Sequence, residues 1–121
     1  MEVEKSQDRK LLVVFYEMMG TALFMYCILV SRANPLGVIV GLFASIILFG
    51  SVTGGHFNPA VTLGVYLSNG KHLRHLLWLI MILLGQFIGA ILGLGFATLS
   101  MYEKDEENMI PAESRLPKLC P

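Results

Sequence analysis

Three long stretches of this chain carry almost no charge, and that decides the solvent in which it can fold. Leu11 to Val30 is twenty residues with one charged side chain, Glu17. Leu36 to Val52 is seventeen residues with none, and Leu76 to Met101 is twenty-six with none. In the last run only Gln86, Thr98 and Ser100 are clearly polar. A helix crosses about 30 Å of hydrocarbon in about twenty residues at 1.5 Å each, so the first and third runs are long enough and the second sits at the lower limit. Composition agrees: 55% of residues are hydrophobic and 15% charged, with a mean hydropathy of +0.64, where a soluble domain is roughly a quarter charged. The expected fold is an all-α membrane protein.

The breaks between runs set the boundaries. Ser31-Arg32-Ala33-Asn34-Pro35 turns the chain after the first run, because Pro35 cannot simply continue a helix. Ala60 to Leu67 is apolar but too short to cross, and Ser68-Asn69-Gly70 stops it. The pattern predicts spans over about 11–31, 36–53 and 73–101, with a short helix over about 59–69 that enters the membrane and returns. Residues 1–10 read as a polar arm. Residues 102–121, with Glu103, Asp105, Glu106 and Glu107 and then Pro111, Pro117 and Pro121, read as an acidic tail or loop without apolar periodicity. The first run is too long for the hydrophobic core of a secretory signal, and no small-residue cleavage site follows it cleanly, so it reads as a retained span.

Charge fixes the expected orientation. The N-terminal arm and the segment Lys71-His72-Leu73-Arg74-His75 fall on one side of the bilayer and hold Lys5, Arg9, Lys10, Lys71 and Arg74. The other side has Arg32 near the membrane and the acidic stretch. The positive-inside rule then places the N-terminus in the cytoplasm, or on the equivalent face of an organelle. Net charge is zero, which gives no electrostatic reason to expect nucleic acid. The two cysteines, Cys27 and Cys120, make neither a disulfide framework nor a metal site, and Cys27 reads as packing inside an apolar run.

The stretch that carries chemistry is Thr53-Gly54-Gly55-His56-Phe57-Asn58-Pro59-Ala60-Val61-Thr62-Leu63-Gly64. Gly54 and Gly55 permit a sharp bend. Asn58 suits a helix N-cap and Pro59 the first helical position. A half-helix beginning at membrane depth is tolerated only where its broken backbone faces protein or a water-filled cavity. Its N-terminus carries about half a positive charge, and the Asn58 amide adds two N–H donors. Such a point can hold the oxygen of a water or an alcohol while its field opposes cations and protons. An isolated Asn-Pro-Ala is more often an ordinary turn, so the surrounding residues decide.

Those residues give a resemblance. The whole twelve-residue string is similar to the signature of the aquaporin and glycerol-channel (major intrinsic protein) family. Glu17-Met18-Met19-Gly20-Thr21 resembles the family's first-helix pattern, and Gln86-Phe87-Ile88-Gly89-Ala90 its third-helix Gln-x-x-Gly-Ala. The likeness extends over about residues 11 to 101. It implies that Asn58 is the pore asparagine, completed by Pro59 and Ala60, and that His56 is the loop histidine, fixing the loop so that backbone carbonyls face the pore. It implies that Val38 is the second-helix member of the selectivity ring, where water-selective members usually present an aromatic, so that the ring here is wider or altered. Glu17 and Gln86 are expected to support loop backbone through hydrogen bonds. Gly85, Gly89 and Gly93, and likewise Gly37 and Gly41, form small-residue faces for close helix packing.

The resemblance matches the first of the family's two inverted halves. A second Asn-Pro-Ala, the selectivity arginine after it and the fifth-helix ring residue have no counterpart. Because the likeness assigns Glu17 to the second half's loop, its partner is expected to be missing too. One expectation is a channel half that passes water or small neutral solutes once a second half completes it. Another is a transport-inactive accessory or structural subunit of a larger membrane complex. An antiparallel pair of copies is opposed by the Lys/Arg asymmetry, and a truncated form of a longer channel is a further reading. With no nucleophile–base pair, metal-ligand cluster or nucleotide loop in the sequence, an enzyme is the least expected class, and no cofactor or metal is expected.

Overall fold

The computed structural model describes residues 2–70 and 75–108, with side chains from Asp8 to Gly70 and from His75 to Tyr102. The basic cluster at 71–74, the tail beyond Asn108 and Cys120 lie outside the described residues. Among the described residues four helices follow one another: α1 (Glu2–Val30), α2 (Pro35–Thr53), α3 (Pro59–Ser68) and α4 (Leu76–Asn108). Among the described residues there is no strand. Three segments are long and apolar enough to cross a bilayer, Asp8–Val30, Pro35–Thr53 and Leu76–Tyr102, while Pro59–Ser68 is apolar but short.

Two helices outrun their apolar runs. α1 starts at Glu2 rather than at Leu11, and α4 continues to Asn108 through the acidic residues expected to be loop. Glu, Lys, Gln and Arg are good helix formers, no Gly or Pro intervenes before Pro111, and extending an existing helix avoids the cost of nucleation.

The turn after α1 is tight. Arg32 and Ala33 both take positive φ, 53° and 56°, and the Asn34 side chain accepts the Leu36 N–H at 3.0 Å to cap α2, with Pro35 opening it. α2 ends at Gly54, whose φ of 91° closes the helix through an N–H to the Gly50 carbonyl. That left-handed conformation is the habit of glycine.

α1 packs on α2 and on α4. Ser31, in the turn after α1, meets Gly37 of α2 and Cys27 of α1 meets Gly41, and Tyr16 meets Phe49 with ring centroids 5.8 Å apart, an antiparallel register. Val14, Met18 and Ala22 meet Gly85, Gly89 and Gly93 in turn, so α1 and α4 run parallel. A Cβ at Gly89 would overlap the Met18 carbonyl, and one at Gly93 the Ala22 carbonyl; glycine lets the two backbones touch.

The burial pattern is inverted relative to a soluble bundle. Glu17, Thr21, Ser45, Thr62 and Gln86 are buried, while Leu36, Phe43, Leu77, Ile91 and Leu99 are widely exposed. Hydrocarbon accepts exposed leucine and phenylalanine at no cost, whereas polar side chains turn inward to find partners.

Candidate functional site

Glu17 lies nine residues into the 23-residue span Asp8–Val30 and Gln86 ten into the 27-residue span Leu76–Tyr102. Both therefore sit near mid-depth, side by side on parallel helices. The loop between α2 and α3 is drawn to that level. Glu17 Oε1 accepts the His56 N–H at 3.1 Å, and Oε2 accepts the Phe57 N–H at 2.9 Å and Gln86 Nε2–H at 2.8 Å. The resemblance gives this carboxyl to a loop of a second half. In the structure it holds the chain's own loop, because α1 and α4 bracket that loop at the depth of Glu17.

The loop conformation needs this support. Gly54 and Gly55 take φ of 91° and 70°, and Phe57, a non-glycine, takes 43°, a region costing of order 1–3 kcal/mol for such a residue. Phe57 is 2% exposed, and its ring lies against Gly20, where any Cβ would collide with it. Gly20 thus has a steric reason to be glycine that its place in a sequence pattern does not convey.

Thr62 is the second hub, and motif reading assigns it no role. Its hydroxyl donates to the Asn58 carbonyl at 3.1 Å and accepts from Gln86 Nε2 at 2.8 Å. With its single proton so used, the 3.2 Å contact to His56 Nδ1 assigns the ring proton to Nδ1. The Gln86 amide is oriented by the same logic, since a flipped amide would set oxygen against the Glu17 carboxyl. Gln86 Oε1 is left buried without a hydrogen-bond partner among the described residues.

Asn58 caps α3 through its side-chain oxygen, which accepts the Ala60 N–H at 2.8 Å. Committing Oδ1 inward turns the NH₂ group outward, and Asn58 is exposed. It borders a cavity of about 290 Å³ whose walls include Thr21, Phe24, Phe57, Pro59, Gln86 and Ala90. From there α3 runs ten residues, about 15 Å, or half the hydrocarbon thickness, and packs on α4. A second cavity of about 310 Å³ lies between α3 and α4, with His56 and Thr62 among its walls and Asn69 and His75 at exposed positions.

Glu17, His56, Asn58 and Gln86 are brought together, with Gly54 and Gly55 shaping the bend. Pro59 and Ala60 open α3. Val38 lies in the first turns of α2, at the opposite end of that helix from the loop, and borders neither cavity beside it. Gly85, Gly89 and Gly93 face α1. Among the described residues no three His, Cys, Asp or Glu side chains gather as a metal site.

Comparison with known proteins bears on this arrangement. The family model for major intrinsic protein matches residues 33–116. An aquaglyceroporin of Toxoplasma gondii (strain ATCC 50611 / Me49) is 34% identical over 67 residues, covering 54% of this chain and 26% of that protein. The matched region is thus about a quarter of that relative's length. No solved structure matches the chain. The family match includes α2, the loop, the half-helix and the whole of α4, on a scaffold of three membrane-crossing helices. The chain is an integral multi-pass membrane protein and belongs to the major intrinsic protein family.

Proposed function

We propose that this chain supplies one half of a passive pore for water or small neutral solutes, with Asn58 as the residue that meets the permeating oxygen. The observation that carries this reading is the outward-turned Asn58 amide at the N-terminus of a half-helix held at mid-membrane by Glu17. Amide donors and the positive end of the helix dipole suit a solute oxygen and oppose cations. The aquaglyceroporin similarity favours solutes of the water and small-polyol class. Apolar walls such as Phe24 and Ala90 leave a solute few competing partners, so it passes without being retained.

A half-helix end at this depth needs cover from lipid. We infer that a second half of opposite orientation, bearing its own half-helix, closes the cavity beside Asn58. The N-terminus faces the cytoplasm or the equivalent side of an organelle.

The test is osmotic and glycerol permeability of vesicles holding the chain together with a complementary second half. Asn58→Ala is expected to abolish most of the permeability gain without loss of assembled protein. Permeability unchanged by Asn58→Ala would sink the pore reading and leave the accessory-subunit reading in its place.

A further inference from the structure

The face of α1 opposite the Asn58 cavity holds a groove that the proposed pore does not use. It has a volume of about 430 Å³, within the range of small-molecule sites, and its walls come from three helices: Met19, Leu23 and Tyr26 of α1, Phe49 of α2, and Phe96 and Ser100 of α4. Near its end the Tyr26 and Ser100 hydroxyls lie 3.5 Å apart, at the outer limit of a hydrogen bond. The Ser100 proton is already given to the Phe96 carbonyl at 2.9 Å. A hydroxyl entering between them can therefore accept from Tyr26 and donate to Ser100.

We propose that this groove binds a membrane sterol, its single hydroxyl set between Tyr26 and Ser100 and its rings against Phe49 and Phe96. Depth supports the assignment. Tyr26 lies four residues before the end of the first span and Ser100 two before the end of the third, so both hydroxyls sit within about 6 Å of the span ends, the level of a sterol hydroxyl. Sequence supports it independently. Leu23, Tyr26 and Arg32 follow the Leu-x₂-Tyr-x₅-Arg spacing of a pattern associated with cholesterol contact, which is weak when it stands alone. Here two of its three residues wall a groove, and the third is exposed in the turn at headgroup level. A phospholipid chain fits less well, because it is flexible against rigid aromatic walls and brings no group for the paired hydroxyls.

The experiment uses the full chain in phosphatidylcholine vesicles with a photoreactive cholesterol analogue, followed by mass-spectrometric mapping. Labelling is expected on the segments around Leu23–Tyr26 and Phe96–Ser100 and is displaced by unlabelled cholesterol. Met19→Trp, which fills the groove from an exposed position, is expected to remove most of it. Tyr26→Phe combined with Ser100→Ala is expected to weaken binding about threefold to tenfold, as loss of one or two neutral hydrogen bonds does. Labelling spread evenly over outward positions such as Ile39 and Phe43 would overturn the proposal. So would labelling that excess cholesterol fails to displace, or that a photoreactive phosphatidylcholine matches and cholesterol cannot compete away.

Discussion

Three N–H groups converge on the two oxygens of Glu17, two from loop backbone and one from Gln86. Removing the acceptor leaves all three unsatisfied in a setting without water, each costing about 1–3 kcal/mol. Glu17→Ala is therefore expected to lower stability by several kcal/mol, read as a drop in thermal midpoint in detergent. Glu17→Gln keeps one oxygen but turns an NH₂ toward a donor, and should fall between the two. Thr62→Val keeps shape and removes the hydroxyl that joins Asn58, Gln86 and His56; a loss of about 1–3 kcal/mol is expected, since the buried Gln86 N–H is left unsatisfied, with Thr62→Ser close to the parent. Gly20→Ala drives a methyl into the Phe57 ring and should cost about 1–3 kcal/mol as overpacking. If Glu17→Ala and Gly20→Ala melted like the parent, the loop would be held by something other than these contacts.

At the scale of helices, the α1–α4 pair depends on backbone contact. Gly89→Val places side-chain atoms where the Met18 carbonyl lies and is expected to part the helices, seen as loss of a folded monodisperse species. Gly95→Ala is the control on the same helix, since a Cβ there meets nothing within 4 Å, and helix propensity predicts a neutral or slightly favourable change. The helices themselves were legible in the sequence: charge-free length defined the spans, and Asn58-Pro59 with Ser68-Asn69-Gly70 bracketed the half-helix. Helix ends were less so, because hydropathy marks where lipid stops and says nothing of where a helix of Glu and Lys stops. Motif reading also singled out Asn58, Glu17, His56 and Gln86, each polar in an apolar setting, and the fold brings these four together. It gave no role to Thr62 or Phe57, whose importance lies in contacts made across 24 and 40 residues of chain. The partner of Glu17 was misassigned for the same reason, since spacing along the chain does not say which loop ends beside a carboxyl.

For the molecule as a whole, polar groups inside and leucines outside describe a bundle turned toward lipid, with one side left open at Asn58. Under the pore proposal that side is where a complementary half docks. Purified alone, the chain should then show little permeability, and co-expression with a second half should raise it and shift the particle to a larger size on a native gel. The orientation proposed from charge is checked by introducing glycosylation acceptors. One beyond Asn108 is expected to be modified and one before Asp8 is not, and the reverse result would invert the topology.

The clamp at Glu17 also bears on how the protein is made. Gln86 lies 69 residues downstream of the carboxyl that accepts its N–H, so a ribosome delivers α1 long before α4 exists. Until the loop after α2 emerges with the His56 and Phe57 N–H groups, the first span carries an acidic side chain with no partner, at a penalty of about 2.5–3.5 kcal/mol for a central position, and its third donor comes only with α4. α1 is thus a reluctant entrant that gains a settled place in the bilayer only when its companion arrives. Biosynthesis of this chain should therefore hold its first helix at the insertion machinery until the last one emerges.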